Sequence, residues 1–359
     1  MFTVEMLPAG CGDCILIEYG SSAKSHRVLI DGGTLSTSGV LRKRLAETPR
    51  LELAVVTHID TDHIDGMLGL LKEPPPTLEF GEFWFNAYAQ ASPEGYLGAK
   101  QGEFLATELL ELEKRTGRKF WNTSTGRRAV MLPDAGPPLT VTLDGDMRVT
   151  VLGPTSQGLR RLYKNWDAVM REAGIEPGDP EEALRRLRES RRYRPGWLGE
   201  ENVEKLADEE FDEDRSPANG SSIVLLLEYE TKTCMLTGDA YPSDIVAALG
   251  RLPKQGGRQR TQLVAFKVPH HGSANNNSNE LYKAIDCARF LVSTNGTIYD
   301  HPDPQAIARI LLNKRGPADL CFNYLPDQSR RWNSPSIMTK YEYTFRYPGD
   351  REFGKKVEL

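Results

Sequence analysis

The chain has 359 residues, of which 39% are hydrophobic and 26% are charged, and this composition is typical of a globular protein rather than a disordered or fibrous one. The net charge of -5 argues against a protein that coats nucleic acid by charge alone, and five scattered cysteines favour a reducing compartment over a disulfide framework. The N-terminus lacks a signal-peptide pattern, and no apolar run reaches the roughly 20 residues that a transmembrane helix needs. The sequence therefore predicts a cytoplasmic protein without a membrane segment.

The first 85 residues alternate short apolar runs with turn signals, which predicts the first half of a layered α/β domain. A helix is predicted between the third and fourth strands, at 40–47. The strand-length runs lie at 2–7, 14–19, 28–30 and 53–57.

Residues 86–215 differ in kind and predict an insertion. It contains a helix at 101–115, strand-like runs at 139–143 and 147–152, and a polar, largely helical, charged module at 156–215. Such charge blocks are most often solvated surfaces, and otherwise docking surfaces for a protein partner. Strands and helices alternate again over 216–359, which predicts the second half of the interrupted domain.

The densest group of polar residues follows the predicted strand at 53–57. Two histidines and three aspartates fall within eight positions, at His58, Asp60, Asp62, His63 and Asp65. Imidazoles and carboxylates crowded at the end of a buried strand are costly to desolvate without a cation, so this pattern predicts a metal site. The spacing leaves room for one ion or two.

A second histidine cluster, at 268–273, also follows a predicted strand. Adjacent residues of a strand point to opposite faces, but Pro269 and Gly272 mark a turn that can aim both histidines into one site. At least one of His270 and His271 is therefore a predicted ligand.

One aspartate stands between the two histidine clusters. Asp239 ends the run Leu-Thr-Gly-Asp at 236–239, where a carboxylate follows a strand through a glycine. Alone this motif is weak, but beside two histidine clusters it predicts a carboxylate that bridges two ions.

Taken in order, these motifs resemble the metallo-β-lactamase superfamily: Asp-Gly-Gly at 31–33, His-x-Asp-x-Asp-His at 58–63, Thr-Gly-Asp at 237–239 and a late histidine. In detail they are more similar to the metallohydrolase domain of ComEC-type competence proteins. That likeness rests on Gly-Cys-Gly-Asp at 10–13, Asn-Gly-Ser-Ser at 219–222, Pro-His-His-Gly-Ser at 269–273, and Asn295 through His301. The resemblance covers roughly 1–85, 147–154 and 219–313.

The resemblance implies an α/β fold, a four-layer αβ/βα sandwich with a largely helical insertion and a metal site between its two sheets. It implies one or two divalent ions, zinc or manganese. His58 and Asp60 would bind the first ion, and Asp62 and His63 the second. Asp239 would bridge, and either His270 or His271 would complete the second site.

Further roles follow from the same resemblance. Asp31 would orient the metal-binding histidines, as outer carboxylates do, and Asn219 would support the ligands. His301 would protonate a leaving oxygen or hold a phosphate, and Asp62 would also act in catalysis. The residues expected to contact the substrate are Lys267, Ser273 and Asn295.

Two departures from the superfamily pattern bear on the metal. Asp60 stands where the superfamily has a second histidine, and this harder oxygen ligand brings manganese into consideration beside zinc. The chain has no histidine between His63 and His270, so a usual ligand of the first site is missing. Either Asn219 or a nearby backbone group substitutes, or a single ion is held tightly.

The leading hypothesis is a phosphodiesterase or nuclease that cleaves DNA or RNA with a metal-activated water. The ComEC-like motifs and the basic stretches at 185–194 and 251–260 support it, and the second stretch precedes the strand that leads to His270. One alternative is a hydrolase of a small ester, lactone or nucleotide, because fold does not determine substrate. Another is a component of a protein assembly that docks through 156–215.

Overall fold

The computed structural model describes residues 1–21, 23–87, 100–164, 202–253, 257, 259–349 and 352–359. Two large β-sheets organise these residues. None of the described helices is both long and apolar enough to cross a membrane.

The first sheet has six strands and is built mainly from the N-terminal part of the chain. Its strands are β1 (Phe2–Met6), β2 (Ile15–Gly20), β3 (Ser25–Ile30), β4 (Arg50–Val55), β5 (Glu79–Trp84) and β16 (Lys355–Glu358). They lie in the order β16-β1-β2-β3-β4-β5. The pairs from β16 to β3 are antiparallel, whereas β3, β4 and β5 are parallel.

The second sheet has eight strands. Its strands are β6 (Thr140–Thr142), β7 (Arg148–Gly153), β8 (Val224–Tyr229), β9 (Lys232–Leu236), β11 (Ala265–Lys267), β13 (Arg289–Val292), β14 (Ala318–Phe322) and β15 (Tyr343–Arg346). They lie in the order β15-β14-β13-β11-β9-β8-β7-β6. The five strands β9, β11, β13, β14 and β15 are parallel to one another. A separate parallel pair is formed by β10 (Thr261–Leu263) and β12 (Ile285–Cys287).

The helices cover the outer faces of both sheets. They are α1 (Ser38–Leu45), α2 (Thr61–Lys72), α3 (Lys100–Thr116), α4 (Ser156–Lys164), α5 (Val203–Asp208), α6 (Pro242–Gly250), α7 (Asn279–Ala284), α8 (Pro304–Asn313), α9 (Asp327–Arg330) and α10 (Pro335–Lys340). Apolar residues of α1, α2 and α3 form one buried cluster with the first sheet, and those of α6, α7 and α8 form another with the second sheet. A third cluster lies between the sheets.

The side-chain alternation of the strands explains this layering. In β3, Val28 and Ile30 belong to the core between the sheets, whereas Leu29 packs with the outer helices. In β8, Leu225 faces the other sheet and Leu226 faces the helices on its own side. Because both faces of these strands are covered, their residues are apolar in succession. The predicted four-layer αβ/βα sandwich is confirmed.

The predicted elements of the insertion agree with the structure within a few residues. The helix expected at 101–115 is α3, and the expected strand pair is β6 and β7, which form one edge of the second sheet. Of the charged module at 156–215, the structure describes α4, α5 and the segments beside them, and residues 165–201 lie outside the described part. The domain boundaries and the docking role of this module therefore stay predictions.

Candidate metal centre

The predicted ligands lie where strands of both sheets end. In the first sheet, β4 leads through 56–60 into α2. In the second sheet, β9 leads into Asp239, and β11 leads into a 3₁₀ turn, Pro269–Gly272. Since β9 and β11 are parallel, their carboxyl ends share one edge of the sheet, which is where ligand sites form in parallel sheets.

One carboxylate oxygen lies at the centre of the cluster. Oδ2 of Asp239 is 3.5 Å from Nε2 of His63, 3.6 Å from Nε2 of His271, 3.7 Å from Nε2 of His270 and 3.8 Å from Nε2 of His58. All four imidazoles thus direct the same ring nitrogen at one oxygen. Asp239 occupies the position that a bridging carboxylate would need.

Two further aspartates flank this centre. Oδ2 of Asp60 lies 3.5 Å from Nε2 of His58. Oδ2 of Asp62 lies 3.5 Å from Nε2 of His271, which is itself 3.3 Å from Nε2 of His63. The donors therefore form two groups around the central aspartate: His58 with Asp60, and Asp62 with His63 and His271.

The two adjacent histidines reach the centre through left-handed backbone conformations. The φ angles of His270 and His271 are 46° and 55°, values that few residues other than glycine adopt. Nδ1 of His271 is 2.8 Å from the carbonyl oxygen of Ser293, and Nδ1 of His270 is 2.8 Å from Oδ1 of Asn276. These outward contacts favour a proton on each Nδ1, which leaves each Nε2 lone pair facing Asp239.

Asp31 orients the first histidine cluster. Its carboxylate accepts hydrogen bonds from the backbone N–H of Thr57 at 2.7 Å and from the Thr57 hydroxyl at 2.8 Å, and it lies 2.8 Å from Nδ1 of His63. Asp31 is completely buried. The contact places the carboxylate on the Nδ1 side of His63, so that Nε2 faces the centre.

A buried ion pair supports the cluster from the turn between β1 and β2. Ligand atoms of Asp13, His63, Asp239 and His271 lie within 4.8 Å of one another. However, Oδ2 of Asp13 is 2.8 Å from Nζ of Lys267, and its Oδ1 is 3.4 Å from Nδ1 of His271. Burial alone would raise the pKa of Asp13, but the charges of Lys267 and His271 lower it to about 2. Since Asp13 faces the Nδ1 side of His271, we assign it to holding that ring rather than to the metal.

The ionisation of the cluster matches a cation site. Burial opposes charge on Asp239, yet His271, His63 and His270 hold the pKa of its carboxyl well below the usual value. Burial likewise opposes charge on His271, but Asp239 and Asp13 raise its pKa to about 10. Burial lowers the pKa of His270. In the metal-free protein, protons therefore balance the carboxylates, and a bound cation would displace them.

Unpaired polar atoms test whether these residues fit a metal. Nε2 of His58 and Oδ1 of Asp239 are buried and have no hydrogen-bond partner among the described residues. Buried polar atoms are nearly always paired, so an unpaired imidazole nitrogen beside an unpaired carboxylate oxygen fits a site for a divalent cation. Nitrogen and oxygen donors in this proportion suit first-row metals such as zinc and manganese.

Two glycines let neighbouring loops approach the first turns of α2. A Cβ on Gly12 would lie 1.7 Å from the carbonyl oxygen of Asp62, and a Cβ on Gly32 would lie 2.1 Å from the backbone nitrogen of Met67. Neither side chain could fit without moving the helix. The motifs at 10–13 and 31–33 therefore press directly on the helix that carries Asp62 and His63.

Asn219 and Asp214 hold the outer side of His270. The amide of Asn219 donates to Asp214 at 2.6 Å and lies 3.4 Å from Nδ1 of His270, while Asn276 also donates to Asp214, at 3.0 Å. Asn219 thus contacts the ring nitrogen that faces away from Asp239. The imidazole of His270, rather than the amide of Asn219, lies beside the carboxylate of Asp239.

The predicted acid, His301, lies beside the donors rather than among them. Its ring centroid is 5.5 Å from that of His270, with an angle of 70° between the rings. Its Nδ1 is 3.6 Å from Oδ2 of Asp303. This placement suits a contact with the substrate better than a contact with the metal.

The three residues predicted to contact the substrate make structural contacts. Lys267 is completely buried in its ion pair, which favours a structural role over the predicted substrate contact. Ser273 accepts a hydrogen bond from the backbone N–H two residues later, at 3.3 Å. Asn295 accepts from the N–H and the hydroxyl of Thr297, at 3.0 and 2.8 Å. Substrate contacts by Ser273 and Asn295 stay predictions.

Only part of the second basic stretch lies among the described residues. The stretch at 185–194 lies outside the described residues. In the second stretch, Arg260 donates to the carbonyl oxygens of Ile285, at the start of β12, and Asn313, at the end of α8. These two acceptors precede or begin strands, whereas the predicted ligands follow the carboxyl ends of strands. Arg260 therefore lies away from the ligands, and the prediction that this stretch borders the pocket is wrong for Arg260.

The sequence did not single out four supporting residues, which are Asp13, Asp214, Asn276 and Ser293. Asp13 stands in the Gly-Cys-Gly-Asp motif, so a signal was present, but nothing local predicts its pairing with Lys267. Asp214 ends a block of acidic residues at 200–214 and cannot be distinguished there from solvated charges.

Neither a protein-family model nor a curated protein matches the chain. Among solved structures it is similar to CmlA, a diiron beta-hydroxylase from Streptomyces venezuelae, with a TM-score of 0.42 and 11% identity. It is also similar to a mutant of the CmlA beta-hydroxylase, with a TM-score of 0.39 and 10% identity. Both alignments cover 100% of this chain and 54% of that chain, so this chain spans about half the length of those proteins. The ComEC-type relation stays a prediction.

Proposed function

We propose that this chain is a metal-dependent hydrolase that cleaves phosphodiester bonds, with DNA or RNA as the polymeric substrate. The observation that carries the proposal is the convergence of four imidazole Nε2 atoms on Oδ2 of Asp239, at 3.5 to 3.8 Å. Asp60 and Asp62 flank this centre on the sides of His58 and His271.

The donors divide into sets for one ion or two. His58, Asp60 and His270 would hold one ion, and Asp62, His63 and His271 would hold another, with Asp239 shared. A bound divalent ion supplies Lewis acidity and activates water near neutral pH. The mixture of imidazole and carboxylate donors supports zinc or manganese.

The charge of the site favours an anionic substrate. Two divalent ions would carry four positive charges, and the three aspartates that would bind them, Asp60, Asp62 and Asp239, would carry three negative charges. The nearby ammonium of Lys267 is already paired with Asp13 at 2.8 Å, so the surplus charge would come from the ions. A phosphodiester group matches that surplus, whereas a neutral ester or lactone does not.

In this proposal, His301 would supply a proton to the leaving oxygen. Its ring packs against His270, so it is next to the donors without competing for the ion. Asp303 faces Nδ1, which leaves Nε2 for the substrate. Asp62, whose side chain is 15% exposed, can in addition orient a water at the open side of the centre.

Turnover of a simple phosphodiester by metal-loaded protein tests the proposal. The protein is stripped with a chelator, reloaded with zinc or manganese, and assayed on bis(4-nitrophenyl) phosphate and on single-stranded DNA and RNA. Asp239→Asn removes the central charge and should lower the rate by roughly 100-fold or more. Asp327→Asn, a change at a side chain that is 93% exposed, is the matched control and should keep the wild-type rate.

Two results would contradict the proposal. One is the absence of turnover of every phosphodiester with either metal. The other is an equal rate in the wild type and Asp239→Asn, which would show that the measured activity does not come from this centre.

A further inference from the structure

An exposed tyrosine lies at the edge of the proposed centre. Tyr299 is 50% exposed, whereas His301, two positions later, is buried. Its ring stacks on His301 with centroids 5.9 Å apart and an angle of 26° between the planes. Since one face is covered by His301 and half of the residue remains exposed, the ring offers an open aromatic surface.

A continuous series of rings connects that surface with the donors. Nε2 of His270 lies 3.7 Å from Oδ2 of Asp239, the His270 ring contacts His301, and the His301 ring stacks on Tyr299. A tyrosine is neutral at physiological pH at its ordinary pKa, and partial burial together with the negative charge of Asp62 raises the pKa of Tyr299 further. Tyr299 is therefore a stacking surface at the mouth of the site and not an anion.

The segment that carries Tyr299 is fixed at both ends. The backbone N–H of Asn295 donates to the carbonyl oxygen of Gly10 at 2.9 Å, which ties the segment to the motif that presses on α2. On the other side, the Gln328 amide donates to the carbonyl oxygen of Gly296 at 3.2 Å and to the carboxylate of Asp300 at 2.9 Å. An aromatic ring held this firmly loses little further entropy when a ligand stacks on it.

We propose that Tyr299 forms a subsite that stacks an aromatic ring of the substrate, so that the preferred substrates are phosphate esters carrying such a ring, as nucleotides do. This inference rests on the proposed function, because the phosphate must occupy the metal centre while the ring lies on Tyr299. Stacking of a base on an aromatic side chain tolerates any base, since every base has a π face. The subsite therefore selects for a ring and not for a base sequence.

Binding of small phosphates with and without a ring tests the subsite independently of turnover. Metal-loaded protein is titrated calorimetrically with adenosine 5′-monophosphate and with ribose 5-phosphate, which lacks the base. The wild type should bind adenosine 5′-monophosphate roughly 5-fold or more tightly, and Tyr299→Ala should lose that preference while its affinity for ribose 5-phosphate is unchanged. Tyr299→Phe should keep the preference.

Controls separate the subsite from other effects. Tyr347→Ala replaces another tyrosine of similar exposure, 40%, and should bind both phosphates as the wild type does. Phenyl phosphate compared with methyl phosphate distinguishes the source of the ring: a preference for phenyl shows that any aryl group suffices, and a preference confined to adenosine 5′-monophosphate assigns the subsite to nucleotides.

The outcomes that overturn this inference differ from those that overturn the proposed function. Equal binding of adenosine 5′-monophosphate and ribose 5-phosphate by the wild type, or an equal preference in Tyr299→Ala, overturns the subsite even if phosphodiesters are cleaved. If the wild type binds neither phosphate, the subsite is overturned, whereas the proposed function is overturned only by the turnover assay on phosphodiesters.

Discussion

Asp239 carries a buried negative charge that imidazoles surround. Its Oδ1 has no hydrogen-bond partner among the described residues. Such an arrangement is costly unless a cation or protons compensate it. The histidines are oriented from behind, since Asp31, Ser293 and Asn276 contact the Nδ1 atoms of three of them. At the scale of single residues, the centre therefore depends on groups, both side chains and a backbone carbonyl, that would not touch the ion.

Replacing Asp31 by asparagine tests this dependence. Asp31→Asn keeps the size of the side chain but removes the charge that faces Nδ1 of His63, so the affinity for zinc should fall by about 10- to 100-fold. Competition with a chelating dye measures that affinity. An unchanged affinity would contradict the orienting role.

Glu113→Gln provides the matched control for Asp31→Asn. Glu113 is also a buried carboxylate, and it accepts hydrogen bonds from the backbone N–H groups of Phe120 and Trp121 at 2.9 and 3.0 Å and pairs with Arg127. Its replacement should lower the free energy of unfolding by about 2 kcal/mol and leave the zinc affinity as it is. A comparable loss of zinc affinity in this variant would show that any buried charge change disturbs the site.

At the scale of elements, the centre is built by turns that press on one helix. α2 follows β4 after the five residues 56–60 and carries Asp62 and His63 in its first turn. Gly12 and Gly32 allow the turns after β1 and β3 to contact its backbone. Close backbone contacts at Gly12 and Gly32 thus help to position α2, because neither glycine has a side chain that would hold the turns away from the helix.

Gly12→Ala tests the contact between the first turn of the chain and α2. The added Cβ would stand 1.7 Å from the carbonyl oxygen of Asp62, so the turn or the helix must shift. We expect a loss of about 1 to 3 kcal/mol in the free energy of unfolding and a weaker metal affinity, measured by urea denaturation and by dye competition. Gly39→Ala in α1, where no atom of the described residues lies within 4 Å of the added Cβ, is the control and should not destabilise the protein. Equal behaviour of the two variants would refute the close-contact argument.

At the scale of the whole molecule, the donors come from both sheets. His58 and His63 follow a strand of the first sheet, whereas Asp239, His270 and His271 follow strands of the second. The site therefore exists only when the two sheets are packed through the shared core. Metal binding and folding should be thermodynamically coupled.

Thermal unfolding with and without metal measures that coupling. An ion at 100 times its dissociation constant stabilises the folded state by about 2.7 kcal/mol, so zinc or manganese should raise the Tm of the chelator-treated wild type. Asp239→Asn should show a much smaller rise. The same rise in both proteins would place the stabilising ion elsewhere.

The sequence by itself determined the fold class and the approximate positions of the elements for which it predicted bounds, and it singled out the histidines and aspartates that the structure brings together around Asp239. It could do so because strand alternation is a local pattern and because the ligands follow their strands directly. The helix predicted at 40–47 is Ser38–Leu45, a shift of the size that end effects produce.

Only the tertiary structure decided how the donors meet. His63 and His271 are separated by 208 positions and their Nε2 atoms lie 3.3 Å apart, a distance that depends on how two sheets pack. The same packing lets both His270 and His271 face Asp239 and buries Lys267 against Asp13. Local patterns reveal which residues can bind a metal, but the direction of each side chain depends on contacts between segments that the sequence keeps far apart.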